Sequence, residues 1–174
     1  MSGLFTLAII ALVGWLVVRS MNREKARRDR SQAIKARLLQ AHGIEDVFIS
    51  REDDSFLGLS GDSALILLGQ GDEGRTFPVA AIRAVEGLRD GTVMIRAEPD
   101  GDPITPAAEQ DVSDLPERIV SLGLRVTLED ETHTVLFFQG GRHGVDPVNE
   151  QFRKQAARTE EWFRKLSTAM RLHR

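Results

Sequence analysis

The sequence predicts a mainly β domain closed by a C-terminal α-helix, carried behind an N-terminal transmembrane helix and a basic helical stalk. Three observations predict it. Residues 1–18, MSGLFTLAIIALVGWLVV, carry no charged side chain. From Glu45 to Gln139 the apolar residues recur mostly with period two, the period of a half-buried strand. From Phe152 to Met170 they recur in steps of three and four, the period of an amphipathic helix.

At about 1.5 Å per residue, eighteen helical residues reach roughly 27 Å, close to the ~30 Å hydrocarbon core. Trp15 suits a membrane interface and Arg19 can extend its head to water. A cleaved signal peptide would have a basic stretch before the apolar run and a small-residue cleavage site after it. Neither is present, so the segment reads as an uncleaved anchor.

Residues 19–37 hold eight Lys or Arg against two acids, a net of +6. The membrane-interface set is Arg19, Arg23, Lys25, Arg27, Arg28 and Arg30. The positive-inside rule sets this flank in the cytoplasm. The expected topology is a single membrane crossing, with the N-terminus outside and the rest cytoplasmic. Met21–Ala41 lacks Gly and Pro and favours helix. It continues the span as a stalk, residues 19–43, which His42-Gly43 ends. The absence of cysteine agrees with a cytosolic domain. Residues 38–174 carry a net of −9, which argues against nucleic acid as partner.

The domain spans residues 44–174. Seven strands are expected: Asp46–Ser50, Phe56–Ser60, Ala64–Leu68, Thr76–Val85, Thr92–Glu98, Leu124–Glu129 and His133–Gln139. Turns fall at Arg51–Ser55, Gly61–Ser63, Gly69–Arg75, Gly87–Gly91 and Asp130–Thr132, on Gly, Asp and Ser. Residues 99–123 break the pattern with prolines and acids and read as an irregular, partly disordered acidic insertion, with a short helix over Leu115–Leu122. In the C-terminal helix, Phe152, Ala156, Thr159, Phe163, Leu166 and Met170 form the buried stripe, widened by Trp162 and Ala169.

Candidate chemistry is sparse. Gly69, Gly71 and Gly74 match G-x-G-x-x-G after an apolar run. A dinucleotide site needs a helix opening at the third glycine. Arg75-Thr76-Phe77-Pro78-Val79 reads instead as a strand, and Asp72 and Glu73 would repel phosphate. The glycines therefore read as a turn between antiparallel strands, with no nucleotide. His42, His133, His143 and His173 lack metal-ligand spacing. Gly58–Asp62 lacks the second glycine of a nucleophile elbow, and Asp100-Gly101-Asp102 is too short for a calcium loop. No catalytic, cofactor or metal residue is assigned, and the chain is not read as an enzyme.

The stretches VFISREDDSFLGLSG, TFPVAAIRAVEGL, LRVTLEDETHTVLFF and QAARTEEWFRKLSTAM, in this order, resemble the pleckstrin-homology-like domain over roughly residues 45–172. They also resemble bacterial membrane-anchored members of that class, to which no function is assigned, and this likeness implies the bacterial inner membrane as the expected location. The resemblance implies a strongly bent seven-stranded sheet with the helix closing one open end, and it brings no catalytic residues. Function then falls first to a membrane-tethered protein-interaction or scaffold module, by a protein partner or by self-association. The alternative is a domain that binds anionic lipid headgroups. Lipid-reading members carry a basic first loop, whereas Arg51–Ser55 holds three acids against one base. Residues 147–174 carry +4 and residues 38–146 carry −13. That split orients an acidic partner toward Arg153, Lys154 and Arg158. An edge at Thr92–Glu98 beside the helix is the expected place for it.

Overall fold

The computed structural model describes residues 43–105 and 118–173, together with Trp15 and Arg19. The chain divides into two compact units, Met1–Arg37 and Leu38–Arg174. In the first, Trp15 and Arg19 are both helical, and the Arg19 guanidinium lies 4.8 Å from the Trp15 ring centroid. Apart from Gly43, the remainder of the expected span and stalk lies outside the described residues. So do residues 106–117 of the acidic insertion. Among the described residues no helix is long and apolar enough to cross a membrane.

The second unit is mainly β with one C-terminal helix. Strands β1 (Ile44–Ile49), β2 (Ser55–Ser60), β3 (Leu65–Gln70) and β4 (Glu73–Pro78) form an antiparallel meander. Strands β5 (Ala84–Arg89), β6 (Thr92–Ala97), β7 (Ser121–Thr127) and β8 (Thr132–Gln139) form a second antiparallel sheet, in the order β6-β5-β7-β8. Helix α1 spans Glu150–Leu172.

Among the described residues eight strands replace the expected seven, because the run Thr76–Val85 is two strands. Pro78 ends β4, and a 3₁₀ turn at Val79–Ala81 carries the chain to the other sheet. The apolar run continues unbroken across that corner, from Val79 to Ile82, and Val79, Ile82 and Val85 are all buried in the common core. The second sheet is not a simple meander: β7 returns to the free side of β5. The expected helix at Leu115–Leu122 does not extend through its described part, where Ile119 bridges Val145 and β7 begins at Ser121. Gly87 lies inside β5, so the expected turn there shrinks to Asp90-Gly91. Both of those residues have positive φ, 52° and 80°, as a two-residue type I′ hairpin loop requires. The Asp90 carboxylate also accepts the backbone N–H groups of Val120 and Ser121, at 2.8 and 2.6 Å, which fixes the start of β7.

The core lies between the sheets and under α1. Phe48 of β1 stacks on Phe137 of β8 with ring centroids 3.8 Å apart. The predicted helix stripe is the buried one: Phe152, Thr159, Phe163, Leu166 and Met170, with Trp162 and Ala169, are buried and Ala156 is half-buried. Asn149 caps the helix by accepting the Phe152 N–H at 3.1 Å. Near the start of α1, Phe138 and Phe152 meet edge to face at 5.6 Å. Further along, Lys165 bonds Asp46 of β1 at 2.5 Å and Glu161 at 2.6 Å. These hydrogen bonds, that to Asp46 foremost, hold the lysine above its ordinary pKa.

Candidate functional site

The three glycines of the G-x-G-x-x-G stretch belong to the β3–β4 hairpin. Gln70 pairs with Glu73, leaving Gly71-Asp72 as the loop, and Gly71 has φ of 62°. Phe56, Gly69 and Gly74 are register partners in one row across β2, β3 and β4. A Cβ on Gly69 would stand 2.5 Å from the Phe56 ring, and one on Gly74 would stand 2.7 Å from it. The outer glycines thus leave room for a fully buried Phe56 ring, and the middle one makes the turn. The predicted turn between antiparallel strands is what the structure contains. No helix follows Gly74 to offer its N-terminus to a phosphate.

This hairpin forms one wall of a cleft of about 560 Å³. The β1–β2 loop forms the upper lip and the first half of β8 the opposite wall. The lip is tied to the hairpin twice. The Gly71 N–H donates to the Asp54 carbonyl at 2.9 Å, and the Gln70 amide donates to the Asp53 carbonyl at 2.9 Å. Asp53 is further fixed by the Ser55 hydroxyl at 2.6 Å. At the far end, Arg75 of β4 reaches Glu131 at 3.2 Å, and His133 of β8 lies 3.1 Å from the same carboxylate. Asp53, Asp54 and Glu73 line the opening against Arg75 and His133. The loop that would have to be basic for an anionic headgroup therefore brings carboxylates into the cleft itself.

A second, smaller recess of about 170 Å³ lies between the β5–β6 hairpin and α1. Leu88, Met94, Ile95, Leu122 and Phe163 give it apolar walls. Gly87 opens its floor, since a Cβ there would stand 2.8 Å from the Ile95 side chain. Strand β6 is an edge strand. Arg96 spends its outward N–H and C=O on Ile104, both at 2.8 Å. Among the described residues, the edge from Thr92 to Ile95 has no such neighbour.

The three basic residues singled out on the helix do not form one patch. Arg153 shares a helix side with Ala156 and Glu160, which line the recess, and with Arg164, by the three- and four-residue spacing. Lys154 pairs with Glu150 at 2.7 Å in an exposed pair. Arg158 lies on the other flank, 5.3 Å from the Phe48 ring centroid. The sequence reading missed Arg164 and the recess because helix register against the sheets is a tertiary fact. Among the described residues no three His, Cys, Asp or Glu stand close enough to hold a metal ion. Comparison with protein-family models, with curated proteins and with solved structures finds no match.

Proposed function

We propose that this chain is a membrane-tethered protein-interaction module that docks an extended, acidic segment of a partner along β6 beside α1. The observation that carries the reading is the apolar recess lying next to a partly open strand edge. A strand edge supplies backbone hydrogen bonds to an added segment, and an adjacent pocket selects its side chains. Arg153 and Arg164 flank the recess on exposed helix positions, and charges placed so steer an acidic partner.

The tether rests on the uncharged residues 1–18 and the +6 flank that follows them. The Arg19–Trp15 contact suits a lipid–water boundary, where an aromatic ring and a cation anchor a helix end. What supports the pleckstrin-homology-like reading is the plan of two antiparallel sheets with a C-terminal helix packed into their common core. That support does not extend to strand number. Headgroup binding ranks behind protein docking because Asp53, Asp54 and Glu73 meet at the cleft.

Capture of partners from detergent-solubilised membranes by the full-length chain tests the reading. Arg153→Glu with Arg164→Glu is expected to reduce capture at least tenfold at low salt without lowering thermal stability. Lys154→Glu, on the far side of the helix, is expected to leave capture unchanged. Equal losses in the two proteins, or no loss in the first, would reject docking at this groove.

A further inference from the structure

The geometry points to a second docking site, in the acidic cleft, for an extended peptide segment carrying lysine or arginine, added as a strand to the free edge of β8. Hydrogen-bond phase decides which backbone groups of β8 point outward. The Leu128 N–H bonds the Glu131 carbonyl and closes the β7–β8 hairpin. Bonded and non-bonded pairs then alternate along an antiparallel ladder. Thr127–Thr132, Arg125–Thr134 and Gly123–Leu136 are accordingly pairs whose backbone groups point away from each other. Leu136 confirms the phase: its N–H leaves β7 and reaches the Ser55 hydroxyl oxygen at 3.3 Å.

Thr132 and Thr134 therefore present N–H and C=O outward, toward the cleft that both residues line. Among the described residues no backbone group receives them. Both residues are exposed. Two residues with outward backbone groups, spaced by two, are the register an added strand uses.

Charge selects the occupant. The lip gives Asp53 and Asp54 and the hairpin gives Glu73. Arg75 is engaged with Glu131, so it does not neutralise the lip. An incoming anion meets repulsion from three carboxylates, and a cationic side chain meets attraction from the same three. The cleft volume lies within the roughly 300–1,000 Å³ range of ligand-holding clefts. Its walls are preformed by the Gly71–Asp54 and Gln70–Asp53 bonds, so little ordering opposes entry.

The test uses the full-length chain in detergent and three synthetic peptides: an alternating Lys-Val heptamer, its Glu-Val counterpart, and a Lys-Val heptamer N-methylated at alternate residues. The Lys-Val heptamer is expected to bind saturably, to weaken with salt and to shift the amide resonances of Thr132 and Thr134. The N-methylated peptide keeps its charge but loses the pairing N–H groups, and is expected to bind at least tenfold more weakly. Asp54→Asn with Glu73→Gln is expected to lose at least tenfold in affinity for the Lys-Val heptamer at unchanged melting temperature. Equal binding of the methylated peptide would reduce the site to bulk charge and overturn the proposal. So would preference for the Glu-Val heptamer, or saturable binding of phosphoinositide vesicles that displaces the Lys-Val peptide.

Discussion

Gly69→Ala should destabilise the domain by on the order of 3 kcal/mol, although it adds one methyl group to a half-buried position on a strand. The added Cβ would stand 2.2 Å from the Glu73 carbonyl oxygen and 2.5 Å from the Phe56 ring. The first is backbone and cannot turn aside. The second belongs to a side chain that is 0% exposed and has nowhere to move. Relief requires β3 and β4 to separate, which breaks ladder hydrogen bonds at the hairpin. Gly101→Ala is the control, since nothing lies within 4 Å of a Cβ there and its φ is not left-handed. It should fall within about 0.5 kcal/mol of the parent. Urea unfolding followed by tryptophan fluorescence measures both, because Trp162 is buried in the core. A Gly69→Ala protein as stable as Gly101→Ala would show that the paired glycines do not exist to seat Phe56.

The same hairpin shows what was legible in the sequence. Antiparallel strands around a turn could be read from β-branched and aromatic residues after Gly74. The reason for the outer two glycines could not, because Phe56 lies on another strand and reaches them only through register. Strands β1, β2, β3, β6 and β8 were legible within a few residues, as short apolar runs bounded by turn residues mark them. The β4–β5 corner was not, because Val79-Ala80-Ala81-Ile82 is an unbroken apolar run with no Gly, Asn or Asp to mark the turn. Nor was the first part of β7. Ser121-Leu122-Gly123 has weak local preference, and its pairing to Asp90, Arg89 and Leu88 is a long-range choice.

The candidate surfaces divide along the same line. The acids of the first loop were visible, and their effect on headgroup binding followed from charge alone. That they share a cleft with the edge of β8 depends on which strand ends meet. The basic character of α1 was visible too. Which of its cations flank the recess depends on the helix face that Leu166 and Phe163 turn inward. Spacing named that buried face but not what packs on either side of it. Arg158 shows the consequence: it lies over Phe48, on the side away from the recess.

Leu166→Ala should cost about 2–5 kcal/mol, the range for truncating a fully enclosed aliphatic side chain. Leu166 is 0% exposed, within a core that joins both sheets to the helix. The cavity left there has walls on every side, from Trp162, Met170 and the strands, and it cannot collapse without moving α1. Phe163→Ala removes more atoms, but Phe163 also lines the recess, so water or neighbouring side chains can fill part of the space. Its cost should lie toward the lower end of the roughly 3–5 kcal/mol usual for an aromatic truncation. Leu172→Ala sits on the same helix, 70% exposed, and should change stability by less than about 0.5 kcal/mol. With total stabilities of about 5–15 kcal/mol for a domain, the Leu166 variant should show a clearly lowered urea midpoint with an unchanged slope. If Leu166→Ala and Phe163→Ala both behave like Leu172→Ala, α1 does not hold the two sheets together, and both the groove and the proposed docking along β6 lose their wall.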